Sequence, residues 1–249
     1  MLKPVDNKPF SAIKKEWESA AELRFAQIRS GKDISYRFVI LPSVLNLCEG
    51  AELTSVIDVG CGGGFFAKEI SRRSELVVGV DIATKNIELA RHFCASLFNV
   101  EFVNEPIETF ATNYKGSFSV AVANMTLMTC VNLAEVLESI KKVLHPGGTF
   151  VVTITHPCFW PEYWGYSGAE WFDYTREIII EGPFRISSEI SSFTTTHIHR
   201  PLSTYITMLV QNGFSIDRIV EPLPDERTAS MYPTSWRYPR FLGIRCTRT

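Results

Sequence analysis

Val56-Ile57-Asp58-Val59-Gly60-Cys61-Gly62-Gly63-Gly64-Phe65-Phe66-Ala67 is an apolar strand pattern that runs straight into a glycine-rich turn and then a helical pattern. Gly60, Gly62 and Gly64 let the backbone turn sharply and approach a ligand with no side chain in the way. The helix that follows aims its free N–H groups at the same place. The stretch predicts a βα unit with a nucleotide-like ligand at its turn. A dinucleotide fingerprint requires Gly-x-Gly-x-x-Gly, and counted from Gly60 its last glycine falls on Phe65, where close helix–strand packing needs a glycine. That weakens a dehydrogenase reading and leaves an acid, Asp58, just ahead of the glycines.

The next units follow in order. Leu76-Val77-Val78-Gly79-Val80-Asp81 is a short apolar run ending in an acid, as expected of a parallel strand buried on both faces. In an open α/β sheet Asp81 then faces the same crevice as the glycine loop, where it can accept two ribose hydroxyls. Alternatively it caps the helix that begins near Thr84, and both roles can coexist. Val100 to Val103 and Phe118 to Asn124 continue the strand series. Leu144-His145-Pro146-Gly147-Gly148-Thr149-Phe150 reads as a helix stop that starts a fifth strand.

Asp-x-Gly-x-Gly-x-Gly from Asp58 to Gly64, followed by Asp81, resembles motif I and its partner acid in the class I S-adenosylmethionine-dependent methyltransferases. That cofactor has no pyrophosphate, but it carries an ammonium, a carboxylate and a sulfonium, so an acid at the strand end has an electrostatic reason to be there. The resemblance implies a Rossmann-like, doubly wound, seven-stranded, mostly parallel α/β sheet whose last strand is antiparallel, with S-adenosylmethionine as cofactor. It implies cofactor contacts from Asp58, Gly60, Cys61, Gly62, Gly64 and Phe65, from Asp81 and Ile82, from Glu105, Pro106 and Ile107 at the adenine, and from Asn124 and Met125 on the reaction floor. Glu105 stands where Asp is more usual, and as a solvated loop acid it would do nothing for the ligand. Ser119 stands where many relatives have Asp. Asn124 is followed by Met125 and Thr126, so the Asn/Asp-Pro-Pro-Tyr signature of nucleic-acid and protein-glutamine amino-methylating enzymes is absent. His156-Pro157-Cys158-Phe159, His199-Arg200-Pro201-Leu202-Ser203-Thr204-Tyr205 and Gly213-Phe214 to Glu221-Pro222 look like a bacterial group of small-molecule enzymes of this class, and the likeness spans roughly residues 11 to 249.

Composition sets the outer bounds. The 249 residues are 45% hydrophobic and 21% charged, which suits one α/β domain with a sizeable core. A formal net charge of −2 and the lack of a long Lys/Arg run give no electrostatic footprint for nucleic acid. Cysteines 48, 61, 94, 130, 158 and 246 show no Cys-x-x-Cys pair or zinc-like His spacing. They read as reduced thiols of a cytoplasmic protein, and no metal is expected. Neither a signal peptide nor a membrane span is apparent in the sequence. The expected partner is a small-molecule methyl acceptor, and the expected state a monomer or homodimer.

Residues 11 to 30 form an amphipathic helix carrying Ile13, Trp17, Ala20, Ala21, Phe25 and Ile28. Gly31-Lys32-Asp33 breaks it, and a second helical pattern runs from about Tyr36 to Cys48. In relatives such helices cap the cofactor cleft, which would put Tyr36 and Arg37 at the methionine end; a surface helix start with Arg37 in solvent is the alternative. The chain is thus expected to divide into a helical cap (1–50), a cofactor core (51–156), a lid insertion (157–200) and the remainder of the core (201–249).

The lid is the least ordinary part. About 45 residues separate the fifth strand from the helix at Pro201 to Gln211, where a minimal fold needs only a loop. Eight of the sixteen residues from Phe159 to Tyr174 are aromatic, against 12% for the chain, so the segment reads as an ordered cover. Arg176 to Glu181 and Ser191 to His199 have strand-like composition, with Gly182-Pro183 and a Ser-rich stretch between, so a β-hairpin or a small added sheet is expected. Trp160, Trp164, Trp171, Tyr174, His197 and Arg200 are the expected substrate contacts, unless the aromatics form an oligomer interface. His156 and His199 are candidate general bases because imidazole titrates near neutral pH, with backbone-bonding strand-end and helix-start roles as alternatives. A small-molecule O- or N-methyltransferase leads; an RNA-modifying methyltransferase and a non-catalytic cofactor binder stay open.

Overall fold

The computed structural model describes residues 2–249. A short strand, β1 (Lys3–Val5), precedes α1 (Phe10–Arg29), and after the break at Gly31 a wide π turn at Tyr36–Ile40 feeds α2 (Leu41–Leu47). The second helical pattern is therefore not one helix. Pro42, which has no N–H to give, sits in the first turn of α2, where a missing donor costs least.

The core then alternates strands and helices: β2 (Ser55–Val59), α3 (Phe65–Ile70), β3 (Leu76–Val80), α4 (Thr84–Phe93), β4 (Val100–Val103), α5 (Ile107–Asn113), β5 (Phe118–Asn124), α6 (Leu133–Val143) and β6 (Leu144–Thr155). The lid comprises α7 (Trp160–Trp164), β7 (Ile178–Ile186) and β8 (Glu189–His199), and the chain closes with α8 (Leu202–Gln211), β9 (Phe214–Val220), α9 (Glu226–Ala229) and β10 (Phe241–Arg248).

Seven strands pair in the order β4-β3-β2-β5-β6-β10-β9. β10 is antiparallel to both of its neighbours and every other pairing in this sheet is parallel. This is the doubly wound sheet with an antiparallel last strand that the sequence predicted. Both faces are buried because side chains alternate along each strand. Ile57 and Val59 of β2 join the core formed with α5, α6 and α8, while Val56 joins the core formed with α2, α3 and α4. Chain order reverses between β2 and β5, and a switch of this kind opens a crevice beyond the carboxyl ends of the strands.

The lid hairpin is longer than expected: β7 runs on through Gly182-Pro183, and the turn lies at Ser187-Ser188, inside the Ser-rich stretch expected between the strands. Pro183 is tolerated inside β7 because the third strand of this small sheet, β1, reaches only Ile179 to Glu181. Beyond Glu181 that side of β7 is an edge, and the register shifts between Pro183 and Arg185. Trp164, Tyr166 and Ile180 form a separate apolar cluster packed by Leu2, Trp160, Trp171, Phe172 and Ile178. The aromatic density of the insertion is thus spent partly on a small core of its own. Among the described residues no helix is long and apolar enough to cross a membrane.

Candidate active site

A cavity of about 650 Å³ lies at the switch point, walled by the ends of β2, β3 and β5, by α1, and by the lid. Its volume falls in the usual range for small-ligand sites.

Its floor is the glycine loop. Gly60, Gly62 and Gly64 all have positive φ. At Gly60 a Cβ would lie 2.4 Å from Thr126 Oγ1, whose hydroxyl donates to Val59 O at 3.0 Å, so the segment just after β5 closes directly over the turn. At Gly62 an added Cβ would meet nothing within 4 Å, because that position opens toward free space. Gly64 does not line the cavity. A Cβ there would meet Phe102 at 2.9 Å and Ala90 at 3.1 Å, so Gly64 performs the close packing that a dinucleotide fingerprint assigns to the position held here by Phe65. Phe65 faces the cavity and packs with Phe25 of α1, ring centroids 5.1 Å apart.

Two acids flank the loop in different electrostatic states. Asp81 Oδ2 accepts from Gly62 N at 2.9 Å, and its Oδ1 accepts from Ala83 N at 2.8 Å and Asn86 Nδ2 at 3.2 Å. It ties loop and α4 together while lining the cavity, although the N-cap residue of α4 is Ala83. Burial raises its carboxyl, and these three hydrogen bonds oppose the rise. Asp58 is 1% exposed, and its Oδ2 has no hydrogen-bond partner among the described residues. Burial first, then the charge of Asp81, pushes its carboxyl up to about 8, with the Ala67 amide acting the other way. A buried carboxyl with a free oxygen on a ligand-sized cavity suits a ligand ammonium, which would replace the missing partner. The residues present therefore fit the amino-acid end of S-adenosylmethionine.

The rest of the expected cofactor set divides clearly. Tyr36, Cys61, Ile82, Glu105, Pro106, Ile107, Asn124 and Met125 line the cavity. Met125 adopts φ 56°, held by a bond from its N–H to Thr153 O at 2.9 Å, and backbone strain of this kind collects at functional sites. Arg37 does not reach the cavity: the π turn points Tyr36 inward and leaves Arg37 exposed over the Phe38 ring. From the cap, the guanidinium that reaches the cavity is that of Arg24 of α1, which was not anticipated. Arg24 lines the cavity and is held by Asp33 Oδ2 at 2.9 Å, by Gln27 Oε1 at 2.8 Å and by the face of Phe184 at 4.4 Å. Nothing in the sequence singled it out within the amphipathic helix of residues 11 to 30.

The lid supplies the other wall through Trp160, Tyr163, Trp164, Arg185 and His197, with Phe241 from β10. Tyr163, Arg185 and Phe241 were missed. His197 is buried, and burial first, then the neighbouring His199 and Arg200, holds its imidazole down to about 3, so it is neutral. No described residue hydrogen-bonds its ring, which sits 5.3 Å from Trp164 and 6.3 Å from Trp160, centroid to centroid.

Trp171, Tyr174, Arg200, His156 and His199 do not line the cavity. Trp171 stacks on Tyr166 at 5.7 Å inside the lid core. The Tyr174 hydroxyl accepts from Leu202 N at 3.0 Å and meets Cys158 Sγ at 3.3 Å. Arg200, 1% exposed, pairs with Glu177 and donates to Cys130 O at 2.7 Å, Val131 O at 3.2 Å and Leu127 O at 3.3 Å, which makes it a clamp on the segment after β5. His156 is fixed through both nitrogens: Nε2 to Glu221 Oε1 at 2.7 Å and Nδ1 to the Cys158 amide at 3.2 Å. His199 bonds Tyr174 O at 3.1 Å among the rings of Phe172, Tyr166 and Tyr174, and burial depresses it. Both histidines are spoken for by strand-end and helix-start contacts.

Comparison with known proteins agrees with this geometry. Residues 51–164 match the family model described as a methyltransferase domain. Ubiquinone biosynthesis O-methyltransferase from Pectobacterium atrosepticum is 32% identical over 101 residues, covering 40% of this chain and 42% of that protein. The Psychrobacter cryohalolentis enzyme of the same name is 31% identical over 102 residues, 39% of each chain. The chain thus spans about two fifths of the length of these curated relatives. Among solved structures, an S-adenosylmethionine-dependent methyltransferase from Clostridium acetobutylicum superposes with TM-score 0.66 at 14% identity over 91% of this chain and 98% of the other. The Burkholderia thailandensis 1,6-didemethyltoxoflavin-N1-methyltransferase, bound to 1,6-didemethyltoxoflavin and S-adenosylhomocysteine, superposes with TM-score 0.62 at 15% identity over 100% and 95%. At such identities these structures speak for the fold alone. Residues 51–164, with the glycine loop among them, thus match a methyltransferase domain, and the chain as a whole has the fold of the class I S-adenosylmethionine-dependent methyltransferases.

Proposed function

We propose that this chain transfers the methyl group of S-adenosylmethionine to an oxygen or nitrogen of a small, planar acceptor held beneath the lid. The observation that carries the reading is one continuous cavity, with the unpartnered carboxylate oxygen of Asp58 on one side and the rings of Trp160, Tyr163 and Trp164 on the other. In the cofactor half, Asp58 holds the ammonium and Arg24 the carboxylate, for which a guanidinium offers paired donors. Asp81 accepts the ribose hydroxyls, Glu105 the adenine amino group, and Ile107 and Met125 pack on the ring. The helical cap (1–50) and the lid (157–200) close the chamber over the core.

When bound, the cofactor supplies an activated methyl group. The protein contributes alignment and the exclusion of water, and positioning of this kind is worth roughly 7–11 kcal/mol. His197 presents a neutral imidazole to the acceptor and orients its O–H or N–H. With an imidazole held near 3 it takes up a proton poorly. His156 and His199 face elsewhere, so the acceptor is one whose nucleophile is free, or ionises, near neutral pH.

The test incubates the chain with methyl-labelled S-adenosylmethionine and fractionated cell metabolites, following the label by mass. Label in a small molecule supports the reading. Label only in RNA, with steeply salt-dependent binding, would replace it with an RNA-modifying activity. Tight cofactor binding without any transfer would leave a binding protein.

A further inference from the structure

We infer that the acceptor carries a carboxylate, bound at the lid by Arg185 with Arg240 beside it. The inference rests on the methyltransferase reading and deepens it. Arg185 lies on β7 and lines the cavity; its Nε is buried with no hydrogen-bond partner, although Nη2 donates to Tyr163 O. Arg240, just before β10, is 4% exposed and makes no side-chain hydrogen bond among the described residues. Both guanidinium groups lie against one ring: the Tyr163 centroid is 4.9 Å from Arg185 Cζ and 3.9 Å from Arg240 Cζ. Trp236 at 4.2 Å and Tyr232 at 5.5 Å complete the sleeve around Arg240.

No carboxylate of the described residues comes within ion-pairing distance of either arginine, whereas the buried Arg200 and the partly buried Arg24 and Lys8 each have at least one. Burial lowers both guanidinium groups, and Arg185 lowers Arg240 further. Burying two like charges against one ring, Arg185 lining the cavity and Arg240 behind the ring, is costly without a counter-ion unless a ligand brings the missing charge. Aromatic rings stabilise a cation but accept no hydrogen bond from Nε. A carboxylate satisfies both needs, since it takes paired N–H donors from a guanidinium in one plane. Around that anchor, Trp160, Trp164 and Phe241 offer flat apolar faces, so the remainder of the acceptor is planar and aromatic.

Calorimetry in the presence of S-adenosylhomocysteine tests the assignment with a panel of benzoate, indole-, quinoline- and naphthalene-carboxylates bearing a hydroxyl or amino group. Each acid is paired with its carboxamide and its phosphate-ester counterpart. The expected result is that the best-bound acid exceeds its carboxamide by about ten- to a hundredfold, and that Arg185→Gln removes this preference while Arg185→Lys keeps part of it. Arg240→Gln is expected to reduce the preference less, because Arg240 stands behind Tyr163. S-adenosylhomocysteine titrated into each variant reports folding and the cofactor half separately. Equal binding of acid and carboxamide, stronger binding of the phosphate esters, no binding by any panel member, or a preference that survives in Arg185→Gln would overturn the inference and leave the methyltransferase reading intact. Failure of the wild-type chain to bind S-adenosylhomocysteine would instead strike that reading.

Discussion

Cofactor affinity should rise with pH, because the pocket must give up a proton to accept a cation. In the free chain the Asp58 carboxyl stands at about 8, raised by burial and then by Asp81. Asp81, whose oxygens accept three hydrogen bonds, is the better-stabilised anion of the two, while Tyr36, Arg24 and Cys61 complete the charged and titratable surroundings. Below that value Asp58 is mostly protonated, and pairing with the ligand ammonium requires the anion. The binding constant then scales with the ionised fraction: about ninefold tighter at pH 7 than at pH 6, with release of roughly 0.9 proton per ligand bound at pH 7. Calorimetric titration of S-adenosylhomocysteine from pH 6 to 7.5, in buffers of different ionisation enthalpy, measures affinity and proton release together. 5′-Methylthioadenosine lacks the amino-acid end, so its affinity should stay flat over the same range. Asp58→Asn should abolish the slope and lower S-adenosylhomocysteine affinity by about ten- to a hundredfold at pH 7.5. A flat profile for S-adenosylhomocysteine in the wild-type chain would refute the reasoning.

The glycine loop offers a paired comparison by urea denaturation. Gly60→Ala drives its Cβ to 2.4 Å from Thr126 Oγ1 at a φ of +73° and should cost about 2–4 kcal/mol, while Gly62→Ala meets open space and should cost only about 1 kcal/mol of backbone strain. Similar costs would remove the distinction drawn between them. Arg200→Met strips the buried carbonyls of Leu127, Cys130 and Val131 of their donor and should destabilise the fold by about 3 kcal/mol; a loss under about 1 kcal/mol would mean the clamp is idle. His156→Gln and His199→Asn should each retain turnover within about threefold across pH 6–9, given matched folding, and a loss of an acidic or basic limb in the rate profile would restore the base role.

Much of the cofactor half was legible because it is written in local chemistry. A buried parallel strand must be apolar throughout, so an acid at its end stands out, as Asp58 and Asp81 do. A glycine required by positive φ has no substitute, so the spacing of Gly60, Gly62 and Gly64 survives in the sequence. The lid was legible only as composition. Eight aromatic residues announced an ordered cover, but Trp171 and Tyr174 serve the lid's own packing while Trp160, Tyr163 and Trp164 face the cavity. That partition depends on the pairing of β7 with β8 and with β1, and β1 is a three-residue strand too short to carry a pattern. Charged residues misled in both directions. Arg24 was not singled out and lines the cavity; of the arginines that were, Arg37 takes the solvent position given as its alternative and Arg200 is locked to backbone carbonyls. Periodicity assigns a face to a residue and leaves its partner unspecified.

The attachment of β1 and α1 to the lid changes what can move. Glu16 of α1 accepts from Thr196 N at 2.9 Å, Gln27 bonds Glu189 at 3.0 Å, Arg24 covers Phe184, and Lys8 reaches both Glu16 and Glu181. The roof of the chamber is therefore a beam fixed at two distant points of the chain, and residues 157–200 cannot swing as a flap without drawing the first helix along. Opening the chamber from this side would break the contacts of both attachments at once, and the half-exposed Phe10 at the start of α1 lines the same cavity.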